Sequence, residues 1–144
     1  MGTWNYGPFD NDHARDAVRA LADGTFNMDK FRFQCRELPL DSAQAEVVIA
    51  LVAVLNGHLP SEESQEALAF EFSFRDRRWL EQHVRELLNS HDSDLYEQWR
   101  EAGELEEWLT ATRRVTGLSG PSTPSLRARR RIAKAARKRA QGEL

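Results

Sequence analysis

The sequence feature that most constrains the fold is an unbroken run of nine apolar residues, Val47–Leu55, in a chain of 144 residues. A membrane-spanning helix needs about 20 apolar residues, so this run is too short to cross a bilayer. A helix that is apolar on every side has to be covered by protein on every side. We therefore predict that Val47–Leu55 is a central core helix enclosed by other helices.

The ends of this helix are marked by capping residues. Asp41 is placed as the N-cap, Gln44 is its capping-box partner three residues later, and Leu40 can pack onto Ala45 as a hydrophobic staple. The pair Asn56-Gly57 is a typical helix end.

A second helix is predicted to begin near Asp10. We expect the Asp10 side chain to cap it, with Asp12 and Asp16 near the positive end of the helix dipole and Gly24 as a left-handed stop. Its apolar residues follow a helical period and form one stripe: Ala14, Ala17, Val18 and Leu21. The stripe is thin, so we expect the leader aromatics Trp4, Tyr6 and Phe9 to fold back over it after the bend at Gly7-Pro8.

The first dozen residues resemble the bacterial family catalogued as domain of unknown function 4259, whose members typically open Met-Gly-(Thr/Ala)-Trp-Gly-x-Gly-x-Phe-(Asp/Glu)-Asn-Asp. The matching positions are Met1, Gly2, Thr3, Trp4, Gly7, Phe9, Asp10, Asn11 and Asp12. Asn5 replaces a usual glycine, and asparagine tolerates positive φ better than most residues. The likeness is looser through the central helix and the Leu95–Trp99 segment, and it fades after about Gly117. The resemblance implies a fold and a bacterial origin but no mechanism.

The segment Phe26–Leu38 carries an ambiguous pattern. Phe31, Phe33 and Cys35 alternate with polar residues, which is the period of a half-buried strand, yet no second strand follows. We predict a short extended or irregular segment laid over the core, whose aromatics pack rather than bind a ligand.

The remaining body residues predict further amphipathic helices. One begins at Ser61, with Ala67, Leu68 and Phe72 facing inward, and it is interrupted near Ser73 or Phe74 and restarted by Ser73 or Asp76. The later apolar faces are Trp79–Leu88, Leu95–Ala102 and Leu105–Val115. Five or six helices around one buried helix make a compact all-α domain.

Charge divides the chain into an acidic body and a basic tail. Residues 1–118 carry a net charge of −10 and residues 119–144 a net charge of +7. We predict an all-α domain over 1–118, a linker over 119–125 and a basic, helix-prone tail over 126–144. The tail cations are Arg127, Arg129, Arg130, Arg131, Lys134, Arg137, Lys138 and Arg139. They are open to three interpretations: a solvated terminus, docking on the acidic body or an acidic partner, and unspecific phosphate contacts to nucleic acid.

Catalytic and metal-binding patterns are weak. Asp12 and Asp16 share a helix face and are the best metal candidates, but capping and dipole effects explain them without an ion. The histidines show no HExxH spacing, and the chain has neither a phosphate-binding glycine loop nor a Gly-x-Ser-x-Gly turn. Cys35 fits an inert buried thiol. We expect no cofactor, and the patterns favour a non-catalytic protein while leaving an unfamiliar class of enzyme open.

Three function hypotheses follow. The first is a non-catalytic protein-interaction module whose acidic surface contacts a basic protein, in a bacterial conflict or immunity setting. The second is a nucleic-acid-associated protein that binds phosphates through the tail, and the third is an unrecognised enzyme or metal protein using the Asp10–Asp16 patch. A single cysteine and the lack of a signal or membrane segment favour the cytoplasm.

Overall fold

The computed structural model of the chain describes residues 7–89 and 93–118, apart from the side chains of residues 62–64. In those ranges the secondary structure is entirely helical. The elements in chain order are α1 (Asp12–Asp23), α2 (Met28–Gln34), α3 (Ser42–Leu55), a 3₁₀-helix (Glu62–Ala69), α4 (Phe74–Asn89), α5 (Asp94–Glu101) and α6 (Leu105–Thr116). The all-α prediction is confirmed.

Helix α3 is the centre of the fold. Every residue from Val48 to Val54 is buried, and Val47 and Leu55 are partly buried against the same core. Around α3 lie α1, α4, α5, α6 and the 3₁₀-helix, all of which contact it. Each fully buried aliphatic side chain contributes roughly 1.5–3 kcal/mol of hydrophobic free energy, so this helix supplies the largest share of the core. The predicted enclosed helix is confirmed.

Both ends of α3 are held by side-chain hydrogen bonds. The Asp41 carboxylate accepts from the Gln44 backbone N–H at 2.7 Å, and the Gln44 side chain accepts from the Asp41 N–H at 3.1 Å, as the capping box predicts. At the other end the Asn56 amide donates to the carbonyls of Val115 and Thr116, at 3.1 and 2.7 Å. Asn56 therefore satisfies carbonyl groups that the end of α6 would otherwise leave unpaired.

The N-cap of α1 differs from the prediction. Asn11, not Asp10, has the extended backbone of an N-cap, and its side chain accepts from the Ala14 N–H at 2.8 Å. Asp10 instead closes the preceding turn, because its carboxylate accepts from the Gly7 N–H at 3.1 Å. A Cβ at position 7 would collide with that carboxylate, which explains the glycine. The predicted apolar stripe of α1 is buried, and Gly24 ends the helix at φ 73°.

The prediction of an extended or irregular segment at Phe26–Leu38 is wrong. Asn27 accepts from the Lys30 N–H at 3.0 Å and begins α2, which ends at Gln34. Phe31 and Cys35 lie on the same helix face and are buried, whereas Phe33 projects to solvent. The strand interpretation failed because Phe31 and Cys35 fit both a period of two and a spacing of four, and the capping residue decides for the helix.

The segment after Pro60 is a 3₁₀-helix, and its inward face was predicted only in part. Ala67 and Phe72 are buried, but Leu68 is exposed, contrary to expectation. A 3₁₀-helix has three residues per turn, so the residue beside a buried one turns further from the core than in an α-helix. Ser73 and Asp76 then form the predicted restart as a reciprocal cap of α4, with bonds of 3.0 and 3.2 Å.

Helices α5 and α6 close the core. The Ser93 hydroxyl accepts from the Tyr96 N–H to cap α5, and the rings of Trp99 and Trp108 stack between the two helices with centroids 6.3 Å apart. Of the leader aromatics only Phe9 falls in the described residues, and it is buried. The predictions on Trp4, Tyr6, the linker 119–125 and the tail 126–144 lie outside those residues.

Candidate interaction surface

Helix α2 presents one phenylalanine to solvent. Its core face carries Phe31, whereas Phe33, two residues further, leaves 64% of its surface exposed. The Arg36 guanidinium lies over the Phe33 ring, 4.1 Å from the ring centre. This is a cation–π contact, and it leaves the rest of the ring free for another molecule.

The start of α4 repeats this arrangement. Phe74 is 74% exposed, and the Arg78 guanidinium lies 5.9 Å from the centre of its ring. The Ser73–Asp76 cap fixes the backbone of this first turn. The position of Phe74 is therefore set by local hydrogen bonds, not by burial of its own side chain.

Two contacts join α2 to the start of α4. Arg32 forms ion pairs with Asp29 on its own helix and with Asp76 on α4, the latter with Arg32 Nη1 3.5 Å from Asp76 Oδ1. Below this pair the Phe31 ring meets the Trp79 ring edge-on, with centroids 5.9 Å apart. We use the name α2–α4 surface for the exposed side chains Phe33, Arg36, Phe74 and Arg78 of these two elements.

The α2–α4 surface differs in charge from the rest of the acidic body. Residues 28–36 and 74–78 hold six of the twelve lysines and arginines of residues 1–118 but only two of the 22 aspartates and glutamates. These two segments carry a net charge of +4, against −14 for the remainder of residues 1–118. A cationic surface with exposed rings lies on an otherwise anionic body.

A small cavity lies where the leader meets the core. Gly7, Pro8 and Asn11 line one side, and Glu46, Trp99 and Trp108 are among the residues that line the other. Its volume is about 20 Å³, and a single water needs roughly 10–15 Å³ of such space. Burial raises the pKa of Glu46, and His13 partly opposes that shift. The cavity admits no substrate, so we interpret it as a packing defect under the leader turn.

The comparisons with known proteins give one match. The family described as Domain of unknown function (DUF4259) matches residues 2–111. The chain belongs to this family. Neither a curated protein nor a solved structure matches the chain.

The region that matches the DUF4259 family includes the leader turn, the whole of α2 and α4, and most of α6. The α2–α4 surface therefore lies inside the family domain, and the basic tail lies beyond it. The eight tail cations predicted as phosphate or partner contacts are outside the described residues.

The metal candidates of this DUF4259 protein do not come together with other ligands. Asp12 and Asp16 are both exposed on α1, where Asp16 faces Arg19 at 3.6 Å. Within residues 7–89 and 93–118, no group of three or more His, Cys, Asp or Glu side chains is placed to hold an ion.

The remaining reactive groups are Cys35 and His83. Burial raises the pKa of the Cys35 thiol to about 11, with Asp41 acting in the same direction, so the nucleophilic thiolate is rare near neutrality. Burial lowers the pKa of His83, which packs edge-on against Trp79 at 4.1 Å, although Glu86 acts to raise it. In the described part of the chain, no helix is long and apolar enough to cross a membrane.

The α2–α4 surface was not predicted from the sequence, and a signal for it was present. The segments Phe31-Arg-Phe-Gln-Cys-Arg36 and Phe72-Ser-Phe-Arg-Asp-Arg-Arg78 interleave aromatics with arginines. The aromatics of Phe26–Leu38 and Phe72 were expected to be packed, and that holds for Phe31 and Phe72 but not for Phe33; no packing was predicted for Phe74, which is exposed.

Proposed function

We propose that this protein is a non-catalytic protein-interaction module whose α2–α4 surface binds an acidic segment of another protein. The observation that carries this proposal is the pair of exposed rings, Phe33 and Phe74, each beside an arginine in a region of net charge +4. Exposed aromatics and arginines are the residue types most enriched at the energetic centre of protein interfaces.

The chemistry of the partner follows from these contacts. Each ring has one side occupied by a guanidinium and the rest open, so an aliphatic or aromatic side chain can cover it. Four arginines of α4 and the end of α2 have no ion-pair partner among the described residues: Arg36, Arg75, Arg77 and Arg78. Carboxylates beside the apolar side chain would pair with them, in part bidentately. The partner is therefore an acidic segment that also carries apolar side chains.

Asp29 favours a protein over nucleic acid at this surface. Its side chain is 86% exposed, and it shares Arg32 with Asp76. A continuous row of phosphates would approach the Asp29 carboxylate, whereas a peptide can place a neutral or polar residue there. The Arg32 charge is already matched by the two aspartates, which lowers the number of cations available for phosphate contacts.

The other expectations remain proposals. The acidic remainder of the body contacting a basic protein, a cytoplasmic location, a bacterial origin and a conflict or immunity setting all stay predictions. The alternative of nucleic-acid binding through Arg127–Arg139 also stays a prediction, and it concerns a different part of the chain.

A selection from a random peptide library on the full-length protein tests the proposal. We expect the selected peptides to combine Asp or Glu with aliphatic or aromatic residues. We also expect the Phe33→Ser/Phe74→Ser variant to bind them at least about tenfold more weakly, a loss of about 1.4 kcal/mol.

The matched control is Leu68→Ser, which removes an exposed apolar side chain from the 3₁₀-helix, outside the α2–α4 surface. It should bind the selected peptides as the unmodified protein does. Selection of basic peptides, or equal binding by the double phenylalanine variant, would refute the proposal. Displacement of the peptides by oligothymidine through the same phenylalanines would assign the surface to nucleic acid instead.

A further inference from the structure

The outer side of α6 carries an open groove that no described residue fills. It runs between α6 and the loop that follows α3, and its volume is about 740 Å³. Its lining includes His58 from that loop and Glu106, Glu107, Ala111, Arg114 and Val115 from α6. This groove is a different surface from the α2–α4 surface.

The groove follows one stripe of α6. Trp108, Leu109, Thr112 and Thr116 face the core and are buried. Glu107, Ala111 and Val115 are spaced by four residues, so they form a separate row one above another. Ala111 and Val115 are half-buried and Glu107 is exposed, so the floor of the groove is apolar and one end is acidic.

The acidic end of the groove is formed by Glu106 and Glu107 in the first turn of α6. Neither glutamate has an ion-pair partner among the described residues. The opposite end carries Arg114 beside Val115. A ligand that suits the groove is therefore cationic toward the start of α6, uncharged near its end, and small and apolar against Ala111 and Val115.

The described part of the chain ends at Leu118, at the Arg114 end of the groove. Gly117 ends α6 at φ 67°, and Leu118 is buried. Asn56 fixes this exit by its bonds to Val115 and Thr116. The following residues, 119–125, carry no charge and contain two prolines and a glycine, and all eight tail cations follow within 127–139.

We propose that the basic segment 126–144 of the same chain docks in this groove, antiparallel to α6. Seven linker residues span up to about 23 Å when extended, which is enough to reverse the chain direction. As a helix, the thirteen cation-bearing residues would be about 20 Å long and α6 is about 18 Å long, at 1.5 Å per residue. In this direction Arg114 lies nearest the start of the segment, and the cations from Lys134 to Arg139 lie nearest Glu106 and Glu107.

The composition of the segment fits the floor of the groove. Leu126, Ala133, Ala136 and Ala140 fall within one side of a helix together with Arg129, whose aliphatic stem can lie along the small side chains of Ala111 and Val115. Alanine and arginine favour helix, but a single helix of this length is marginal in water without a surface to pack on. A tether of seven residues raises the local concentration of the segment to the millimolar range, so a weak contact is enough.

Paramagnetic relaxation in the full-length protein tests this docking. A nitroxide is attached at Ala135→Cys, which on a helix lies on the side away from Leu126, Ala133 and Ala136. Native Cys35 is only 2% exposed and reacts slowly. At low salt we expect amide signals of Thr110, Ala111 and Val115 to broaden and those of Arg85 and Glu86 on α4 to remain sharp. At about 0.5 M salt, where charges are screened beyond a few ångströms, the broadening should fall by at least about half.

Two variants assign the contact. Glu106→Gln/Glu107→Gln should remove most of the broadening, whereas Asp94→Asn, which also removes an acidic residue from a first helical turn, should leave it unchanged. Sharp α6 signals at low salt, or broadening that survives the double substitution, would overturn the proposal. Broadening that appears only between labelled and unlabelled molecules in a mixture would assign the groove to the tail of a second copy instead.

Discussion

Helices α3 and α2 differ in how much of their surface the protein covers. Five other elements contact α3, and every residue from Val48 to Val54 is buried. Helix α2 buries Met28 and Phe31, its C-cap Cys35 is also buried, and Phe33 is left in solvent with Arg36 lying against its ring. Helix α3 is covered by the rest of the fold, whereas α2 has an apolar ring, Phe33, that the described residues leave largely uncovered.

This difference separates stability from recognition. Residues of α3 cannot be changed without leaving a cavity in the core, because no other group is close enough to fill the space. Caps and ion pairs hold α2 and the first turn of α4 in place. The outer side chains of these two segments are not needed to support another element of the described fold. They are therefore available to a partner. Substitutions in α3 should reduce stability, whereas substitutions on the outer side of α2 should reduce binding.

The largest effect is expected from Leu51→Ala in the middle of α3. Leu51 is completely buried, and truncating such a leucine costs about 3–5 kcal/mol of unfolding free energy, since both the transfer energy and the packing contacts are lost. Urea unfolding monitored by circular dichroism measures this loss. A loss below about 1 kcal/mol, which is usual for surface sites, would show that α3 is not enclosed.

A smaller loss is expected from Asp76→Ala at the start of α4. The change removes half of the reciprocal cap with Ser73 and leaves Arg32 without its partly buried partner, so we expect a loss of about 1–2 kcal/mol. Asp29→Ala is the matched control, because Asp29 pairs with the same arginine but is exposed, and such pairs contribute about 0–1 kcal/mol. Equal losses in the two variants would contradict the buried role of Asp76.

Sequence patterns predicted α3 because its signals agree. The run Val47–Leu55, the Asp41–Gln44 box and the Asn56-Gly57 end all indicate one helix with one environment. For α2 the signals conflict, since Phe31 and Cys35 fit a strand and a helix equally well. The cap of α1 shifted from Asp10 to Asn11 because two good capping residues are adjacent, and only the Gly7–Asp10 hydrogen bond distinguishes them.

The candidate surface was harder to predict for a different physical reason. Whether Phe33 and Phe74 are buried depends on what lies next to α2 and the start of α4 in three dimensions. Composition gives the average burial of phenylalanine, and both residues depart from that average. The net charge of the body also conceals the two cationic segments, because they are 38 residues apart along the chain and are brought together in the fold by the Arg32–Asp76 pair.

The pH dependence of stability should carry a contribution from His83. Burial lowers the pKa of His83 in the folded protein, so the unfolded chain binds a proton first as the pH falls. This contribution to stability is complete above the unfolded pKa of about 6.5 and is lost as the pH falls through and below that value. The loss between about pH 7.5 and pH 5.5 should therefore shrink in His83→Gln, as measured by urea unfolding.

The control for this prediction is Gln82→Asn, which changes an exposed side chain without a titrating group on the same helix. It should keep the pH dependence of the unmodified protein. An unchanged slope in His83→Gln would mean that Glu86, 3.6 Å away, compensates the burial of the imidazole.

The smallest effect on folding is expected from Phe33→Ser, and this substitution tests the comparison most sharply. Phe33 is mostly exposed, so we expect its unfolding free energy to change by no more than about 0.5 kcal/mol. Phe31→Ser, two residues away on the buried side of α2, should cost at least about 3 kcal/mol, because it removes a core ring and places a hydroxyl against Trp79. Thermal and urea unfolding of the two variants measure the difference. Similar losses would mean that Phe33 is part of the folded core and is not available to a partner, because a ring that the fold needs for its own stability cannot also be surplus apolar surface.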